Sequence, residues 1–594
     1  MEKIKVMKLP AFEDITSVKL NQNYLGEILP NRLISLSKNV KGKLVNKEKL
    51  EKNEGLIPVK VVKINLPLGF ELEYLEGEYE IIEETHDISS FTINDIGKEF
   101  TIHALVESIR QTGGPTIFTL YDGTSTIPAK AFSSPGRRTF PEIEEGMAIS
   151  SRIQLKEYEN KLESSLLGFK ILEESRQENL KGKIDNIAEG KAMPEDIQFM
   201  IQSNVLDKLK PGIIEFAKIV RKAVIESRPI ILRHHADCDG YCGGIALERA
   251  ILPLIAELQD DNRAAWKNYK RAPSRAPFYE YSDVIKDLTH ALDSAERFGN
   301  KKPLIILVDN GGTEEDVPGI KKMKIYGCPV IVVDHHYPGE KTDGKFPVEH
   351  HADLNISPYS AGGDMNLTAG MIAVEIARFV NKDVEKIEIL PALSGIGDHS
   401  DCPEFEQYLK IAQSSGYSLE YLRKLAKVID FEAYYIRFIE SRGLVNDLLG
   451  ADAEKQKELV ELIIPDIEAL ESEQLKTARH YCSIEQKENH IVAKIEINKA
   501  NKMGNYPSSG KATGILHDSL KKEFGKHVIT LGISRDSITF RASRGTINIH
   551  EIIAELKKRL PYAWIDGGGH EVAGTIKFAE ASKDEVIQIV EEFL

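Results

Sequence analysis

Short apolar runs separated by stretches of helical periodicity dominate the middle of the chain. Three runs, which begin at Ile230, Leu304 and Pro329, are rich in β-branched residues, as is typical of buried strands. Between them apolar residues recur at helical spacing, and residues 241–255 are predicted to form a helix. Strands that alternate with helices indicate βαβ units, so we expect a parallel sheet covered by helices.

Period-two alternation prevails earlier in the chain. Residues 59–65 and 70–74 alternate like short strands, and residues 1–90 are interpreted as an accessory β-rich region without visible chemistry. Residues 91–177 contain strand-like segments separated by Gly113-Gly-Pro and Asp122-Gly turns, which predicts an OB-fold-like barrel. The series resembles nucleic-acid-binding OB domains, which stack bases on aromatic rings and contact phosphates with cations. Candidate contacts are Phe118, Phe132, Arg110, Lys130, Arg137 and Arg138, although each phenylalanine alone is more typical of a barrel core.

Helical patterns flank the expected parallel sheet. Residues 178–227 are a polar helical linker that ends in a helix packed beneath the sheet, and residues 405–475 are a helical connector. Further strand-like segments begin at Ile491, Val528 and Ser537. The predicted fold is α/β and multidomain, with a parallel-sheet catalytic domain at residues 228–404 and a smaller α/β domain at residues 476–594. The OB-fold-like barrel precedes both domains.

Composition is that of an ordinary globular protein. The 594 residues are too many for one core, and the hydrophobic content of 42% is typical of soluble proteins. No apolar run could span a membrane, no secretory signal begins the chain and five scattered cysteines do not indicate disulfides, so we expect a cytoplasmic protein without a membrane partner. The net charge of −15 argues against a generally basic nucleic-acid-binding surface.

Acids and imidazoles follow the apolar runs where the strands are expected to end. Alternate positions after the first run direct side chains to one side of an extended chain. A single aspartate could cap the next helix, but four elements that end in this way bring their side chains to one edge of the sheet. Such a cluster indicates divalent metal ions, because like ligands repel each other without a cation. The residues are His235, Asp237, Asp239, Asp309, Asp334, His335, His336 and, after a fourth segment at 393–397, Asp398.

These residues resemble the four motifs of the DHH phosphoesterase superfamily, and the segment 233–240 is most similar to archaeal RecJ-like nucleases. The resemblance implies that two divalent ions are the cofactors. Mixed nitrogen and oxygen ligands suit Mn²⁺, with Mg²⁺ or Co²⁺ as alternatives. It implies that His336 contacts the scissile phosphate and that Asp334 orients a neighbouring histidine. One ion would be held by His235, Asp237 and Asp309, and the other by Asp239, Asp309, His335 and Asp398, with Asp309 shared.

A glycine-rich stretch near the end of the chain resembles the DHHA1 substrate-binding domain. Glycines allow backbone amides to approach a phosphate, although a tight turn that requires positive φ would have the same composition. The residues implied for substrate binding are Arg541, Ser543, Gly567, Gly568, Gly569 and His570.

The expected function is that of a metal-dependent exonuclease on single-stranded DNA or RNA, with replication or repair proteins as possible partners. Two alternatives remain open: hydrolysis of short oligonucleotides, cyclic dinucleotides or polyphosphate, and a replication scaffold of RecJ-like fold. Residues 263–281 interleave cations with aromatics, which suits either single-strand binding or an exposed insertion.

Overall fold

The computed structural model describes residues 3–7, 18–30, 33–37, 40–50, 54–65, 69–82, 85–158, 161–259, 268–298, 301–436, 442–501, 504–525 and 527–594. The chain divides into two compact units, Met1–Ala188 and Glu189–Leu594. No helix in these residues is both long and apolar enough to cross a membrane.

The first unit begins with a mixed seven-stranded sheet. Its strands are β1 (Ile4–Met7), β2 (Asn23–Ile28), β3 (Ile34–Ser35), β4 (Lys41–Leu44), β5 (Gly55–Asn65), β6 (Gly69–Tyr74) and β7 (Tyr79–Ile82). Their order in the sheet is β3-β4-β6-β5-β2-β1-β7. Alternate apolar residues such as Val59 and Val61 fill its core, as the period-two pattern predicts.

A closed five-stranded barrel follows, which confirms the OB-fold-like prediction. Its strands are β8 (Glu99–Gln111), β9 (Thr116–Tyr121), β10 (Thr126–Ala131), β11 (Ala148–Tyr158) and β12 (Lys161–Ile171), in the closed order β10-β12-β11-β8-β9. Phe118 is fully buried in the barrel core, the position that its residue type favoured, so it is not a base-stacking residue in this structure. Phe132 is 60% exposed at the end of β10, and Lys130 pairs with Glu163 of the barrel itself. Helix α1 (Glu174–Ala192) comes next.

A five-stranded parallel sheet is the centre of the second unit. Its strands are β13 (Ile230–His235), β14 (Tyr269–Ser274), β15 (Leu304–Val308), β16 (Val330–Val333) and β17 (Leu354–Ile356), in the order β14-β13-β15-β16-β17. The surrounding helices are α2 (Asn204–Ile225), α3 (Cys238–Gln259), α4 (Tyr281–Phe298), α5 (Val317–Ile325), α6 (Ala369–Val380) and α7 (Leu390–Gly397).

Both faces of this sheet are buried, which explains why its central strands β15 and β16 consist entirely of apolar residues. Ile306 faces a core shared with α2, α3 and α6. Its neighbours Ile305 and Leu307 face a second core shared with α4 and α5. The parallel sheet covered by helices is therefore confirmed.

Two segments differ from the sequence-based expectation. Residues 393–397 belong to helix α7, so the fourth acidic segment is not a strand of the sheet. Residues 269–274 form the edge strand β14, in which Arg271 is fully buried against Glu248 with Nε to Oε2 at 3.0 Å. This part of the segment is not an exposed nucleic-acid-binding surface. Arg263, Trp266 and Lys267 lie outside the described residues.

Helices connect the parallel sheet to a second, smaller α/β domain. They are α8 (Pro403–Ser414), α9 (Leu419–Ile436), α10 (Arg442–Asn446) and α11 (Ala453–His480). The domain itself contains β18 (Cys482–Gln486), β19 (His490–Glu496), α12 (Ile497–Ala500), α13 (Ser509–Phe524), β20 (His527–Ile533), β21 (Ser537–Ala542), α14 (Ile549–Arg559), β22 (Asp566–His570), β23 (Ala573–Lys577) and α15 (Lys583–Glu591). The sheet order is β18-β19-β20-β21-β23-β22, which leaves β22 at an edge.

Candidate metal centre

The turn from β13 into α3 carries the first three predicted ligands. His235 is the last residue of β13, Asp237 lies in the turn and Asp239 lies in the first turn of α3. The expectation that an extended chain aligns all three holds for His235 and Asp237, which share one ligand group, and is wrong for Asp239, which the helix directs into a different group. Gly240 permits this turn, since a Cβ there would lie 2.2 Å from the carbonyl oxygen of His235.

Asp309 lies between the ligands of β13 and those of β16. It follows β15 directly and has a φ of +54°, in the left-handed region that aspartate tolerates better than most residues. Its Oδ2 is 3.5 Å from Nδ1 of His235, and its Oδ1 is 3.2 Å from Nε2 of His335. One carboxylate therefore faces an imidazole on each side.

Two different acceptors orient the histidines that follow β16. Oδ1 of Asp334 lies 2.8 Å from Nδ1 of His336, and Oδ2 of Asp334 accepts a hydrogen bond from the Gly312 amide at 2.8 Å. His335 is oriented by the carbonyl oxygen of Met365, 2.6 Å from its Nδ1. The proton on Nδ1 leaves Nε2 of His335 directed at the carboxylates as a metal ligand would be.

Asp239 and Asp398 complete the surroundings of His335. Nε2 of His335 is 3.0 Å from Oδ2 of Asp398 and 3.6 Å from Oδ2 of Asp239. Asp398 comes from the C-terminal end of helix α7 rather than from a strand. The other oxygen of Asp239 accepts hydrogen bonds from the amide of Gly370, at 2.9 Å, and from the hydroxyl of Ser394. Only Oδ2 of Asp239 is left for the cluster.

These side chains form adjoining groups that fit divalent cations. In one group the ligand atoms of His235, Asp237 and Asp309 lie within 4.8 Å of one another, and in a second those of Asp239, His335 and Asp398 do. Among the described residues, several buried ligand atoms of these groups have close ion-pair contacts but no well-directed hydrogen bond, an arrangement that leaves them available to a cation. They are Nδ1 of His235, Oδ2 of Asp239, both carboxylate oxygens of Asp309 and Nε2 of His335.

The pKa shifts within the cluster also indicate that positive charge is favourable there. Burial raises the pKa of Asp239 well above its usual range, and the charges of Asp309 and Asp398 raise it further. Burial and then the Asp237 carboxylate raise the pKa of Asp309. Burial lowers the pKa of His335, but the surrounding carboxylates outweigh it and hold this pKa well above its usual value. Protons thus compensate the carboxylates here, and divalent cations could replace them.

The glycine-rich stretch lies against this cluster. His570 stacks on His336 with ring centroids 4.6 Å apart, and its Nε2 is 3.9 Å from Oδ2 of Asp398. The stretch is the edge strand β22, not a turn, and a Cβ on Gly567 or Gly569 would lie 2.4 Å or 2.5 Å from carbonyl oxygens of β23. A Cβ on Gly568 would meet nothing within 4 Å.

The other residues implied for substrate binding differ in accessibility. Arg541 is half-buried and lies beside α13, where a Cβ on Gly510 would be 3.8 Å from Nη2 of its guanidinium. Ser543 is buried, and its hydroxyl accepts a hydrogen bond from the Val528 amide at 3.0 Å. Ser543 therefore supports the neighbouring strand in this structure.

Several residues that contact the ligands were not found from the sequence. Met365, Gly370 and Ser394 bind them through contacts that no local motif encodes. Asn310 was identifiable by its position next to Asp309. It is fully buried, and both polar atoms of its side chain lack a partner among the described residues. His234 points away from the cluster, as its position out of phase with His235 predicts, and its Nε2 lies 3.1 Å from Nη1 of Arg271.

Comparisons with known proteins agree with this arrangement. Residues 229–395 match the model of the DHH family, N-terminal domain, and residues 492–594 match that of the DHHA1 domain. An uncharacterized protein of Methanocaldococcus jannaschii is 39% identical over 544 residues, which cover 86% of this chain and 71% of that protein.

Two solved structures are similar to this chain to different degrees. A DHH domain of a member of the s1p family of ribosomal proteins is 40% identical with a TM-score of 0.68, over 70% of this chain and 98% of that one. RecJ of Thermus thermophilus, in complex with Mn²⁺, is 17% identical with a TM-score of 0.45, over 64% of this chain and 54% of that one. The motifs, the relative of 39% identity and the two domain matches together show that the chain belongs to the DHH phosphoesterase family, with a DHH domain followed by a DHHA1 domain.

Proposed function

We propose that the protein is a metal-dependent phosphodiesterase, and specifically an exonuclease that degrades single-stranded DNA or RNA. The observation that carries the proposal is the pair of adjoining, largely buried ligand groups around Asp309, whose nitrogen and oxygen atoms include several without a well-directed hydrogen bond. Two divalent ions, if bound, would stabilise the negative charge on the oxygens of the reacting phosphate and would lower the pKa of a water nucleophile. His235, Asp237 and Asp309 would hold one ion, and Asp239, Asp309, His335 and Asp398 the other.

His336 would contact the phosphate directly, and Asp334 would orient its ring. Because Asp334 accepts from Nδ1 of His336 at 2.8 Å, the ring is fixed in orientation and its Nε2 is free for an oxygen of the scissile phosphate. Burial lowers the pKa of His336, but the Asp334 charge outweighs it and raises this pKa. The imidazole can therefore carry the proton that a hydrogen bond to the phosphate requires.

The DHHA1 domain would hold the next part of the substrate. His570 stacks on His336, so a phosphate at the metal centre is also within reach of β22. Gly568 is open to approach, and the guanidinium of Arg541 offers paired donors that match phosphate oxygens. The five-stranded barrel belongs to an architecture that often binds single strands, which favours a polymer over a dinucleotide.

Mn²⁺ is the proposed physiological ion, because the ligand set mixes imidazole with carboxylate, and Mg²⁺ or Co²⁺ are the alternatives. Replication or repair proteins are the proposed partners. Hydrolysis of short oligonucleotides, cyclic dinucleotides or polyphosphate is the second candidate, since the same centre would cleave any accessible phosphodiester or phosphoanhydride.

End-labelled digestion tests the proposal. Matched DNA and RNA strands are incubated with Mn²⁺ or with Mg²⁺, alongside a length series that begins at a trinucleotide. The exonuclease proposal predicts stepwise shortening of long strands from one end. Equal rates on a trinucleotide and a long strand would favour the second candidate, and no hydrolysis of any strand with either metal would overturn the exonuclease proposal.

A further inference from the structure

The carboxylate of Asp430 contacts both the metal-ligand turn and the DHHA1 domain. Asp430 lies in α9, and its Oδ1 accepts a hydrogen bond from the Cys238 amide at 3.1 Å. Its Oδ2 lies 2.9 Å from Nζ of Lys511, a residue of the first turns of α13. One side chain of the helical connector thus joins two domains that are distant in sequence.

The Cys238 amide lies in the turn where the chain passes from one ligand group to the other. Cys238 lies between Asp237 and Asp239 and is the first residue of α3, so its amide has no partner within the helix. An anion is favourable at a helix N-terminus, and here it comes from another helix. Because Asp237 and Asp239 belong to different ligand groups, the position of this amide sets the separation between the groups.

The contact with Lys511 reaches the substrate-binding side chains. Lys511 follows Gly510, and a Cβ on Gly510 or Gly514 would lie 3.8 Å from the guanidinium of Arg541. The helix that carries Lys511 is therefore the surface on which Arg541 rests. The charge of Asp430 raises the pKa of Lys511, so the ammonium group of Lys511 stays protonated at neutral pH.

A neighbouring aromatic contact partly shields this ion pair from water. The ring of Phe431, which follows Asp430 in the chain, lies 4.9 Å from the ring of the buried Tyr506. The side chains of Asp430 and Lys511 are 23% and 35% exposed. An ion pair with this burial holds its geometry better than a fully solvated one.

We propose that Asp430 is a positioning residue that couples the DHHA1 domain to the metal centre. Its hydrogen bond to Cys238 fixes the turn between the two ligand groups, and its ion pair with Lys511 fixes that turn relative to Arg541. The proposal rests on the proposed metal-dependent function, because it assigns the turn to metal binding.

Calorimetric titration of the full-length, metal-free protein with Mn²⁺ tests the proposal without any substrate. In Asp430→Ala we expect the affinity for Mn²⁺ to fall by about 10- to 100-fold, as for other outer partners of metal ligands. Asp430→Asn keeps an oxygen acceptor for Cys238 but loses the ion pair with Lys511, so it should recover only part of this loss. Lys511→Met removes the ion pair alone and should give an intermediate loss.

Two controls separate the possible failures. Tyr434→Phe breaks a contact of similar length between the same helix and the DHHA1 domain, and should bind Mn²⁺ as the parent protein does. If the parent protein does not bind Mn²⁺, the proposed metal centre itself is wrong. Parent-like Mn²⁺ affinity in a folded Asp430→Ala variant would overturn the positioning role. If Asp430→Ala binds weakly but Lys511→Met binds normally, Asp430 caps α3 and the coupling is overturned. Should Asp430→Ala fail to fold, Asp430→Asn and Lys511→Met still decide the question.

Discussion

The imidazole rings of His336 and His570 stack with centroids 4.6 Å apart and an angle of 6° between their planes. His336 belongs to the DHH domain and His570 to the DHHA1 domain, so the two domains meet at the candidate site. Burial lowers the pKa of His570 well below its usual value, and the positive charge of His336 and His335 lowers it further. One ring of the stack is therefore neutral and can offer a hydrogen bond to substrate without adding charge.

The first prediction concerns substrate affinity on the DHHA1 side. Arg541→Ala and His570→Ala should each weaken binding of a single strand by about 10- to 100-fold, the value of one or two charge-assisted hydrogen bonds. Fluorescence anisotropy with a labelled strand measures the effect. Arg535→Ala is the matched control, because Arg535 is exposed in the turn before β21. Unchanged affinity in both site variants would show that the stretch around His570 is structural.

The second prediction concerns the carboxylate between the two ligand groups. Asp309→Ala should abolish Mn²⁺-dependent cleavage and remove the stabilisation that Mn²⁺ gives the parent protein, about 2.7 kcal/mol at one hundred times the dissociation constant. Because burial and Asp237 raise the pKa of Asp309, its ionised form is unfavourable without metal. The metal-free variant should thus unfold at a temperature no lower than the parent.

Thermal unfolding with and without Mn²⁺ measures this prediction. The control is Asp293→Ala, which removes an exposed carboxylate from α4 and should keep the full Mn²⁺ effect. Near-normal turnover in Asp309→Ala would contradict the assignment of Asp309 as a shared ligand.

Three of the four segments that end in ligand residues could be placed from the sequence, because runs of β-branched residues indicate where buried strands end. The fourth could not, since the short apolar segment before Asp398 is compatible with either a strand or a helix, and packing makes it a helix. The contacts of Met365 and Asp430 could not be predicted from the sequence either. Each joins a backbone group to a side chain far away in the chain, with a separation of 30 residues for Met365 and of 192 residues for Asp430. Such contacts depend on tertiary packing and have no local signature.

The third prediction separates two uses of glycine in β22. Gly567→Ala should destabilise the protein by about 1–3 kcal/mol, because its Cβ would lie 2.4 Å from the carbonyl oxygen of Thr575. Gly568→Ala should leave stability unchanged, since its Cβ would meet no protein atom within 4 Å, and should weaken strand binding. Denaturant unfolding and anisotropy distinguish the two. Normal strand affinity in Gly568→Ala would show that substrate does not approach this face.

The fourth prediction concerns His517, which lies in α13 with its Nδ1 3.1 Å from the hydroxyl of Thr530. Burial lowers the pKa of this imidazole from 6.5 to about 4. The folded protein holds it neutral while the unfolded chain becomes protonated below the ordinary pKa, so its contribution to stability is complete above about pH 6.5 and is lost toward about pH 4. Between about pH 6.5 and pH 5 the loss is at most about 2 kcal/mol. In His517→Gln the free energy of unfolding should therefore decrease by up to about 2 kcal/mol less than in the parent protein over this pH range.

Urea unfolding of both proteins at about pH 7.5 and pH 5 measures the difference. An equal change in the free energy of unfolding in both proteins would show that His517 is protonated in the fold.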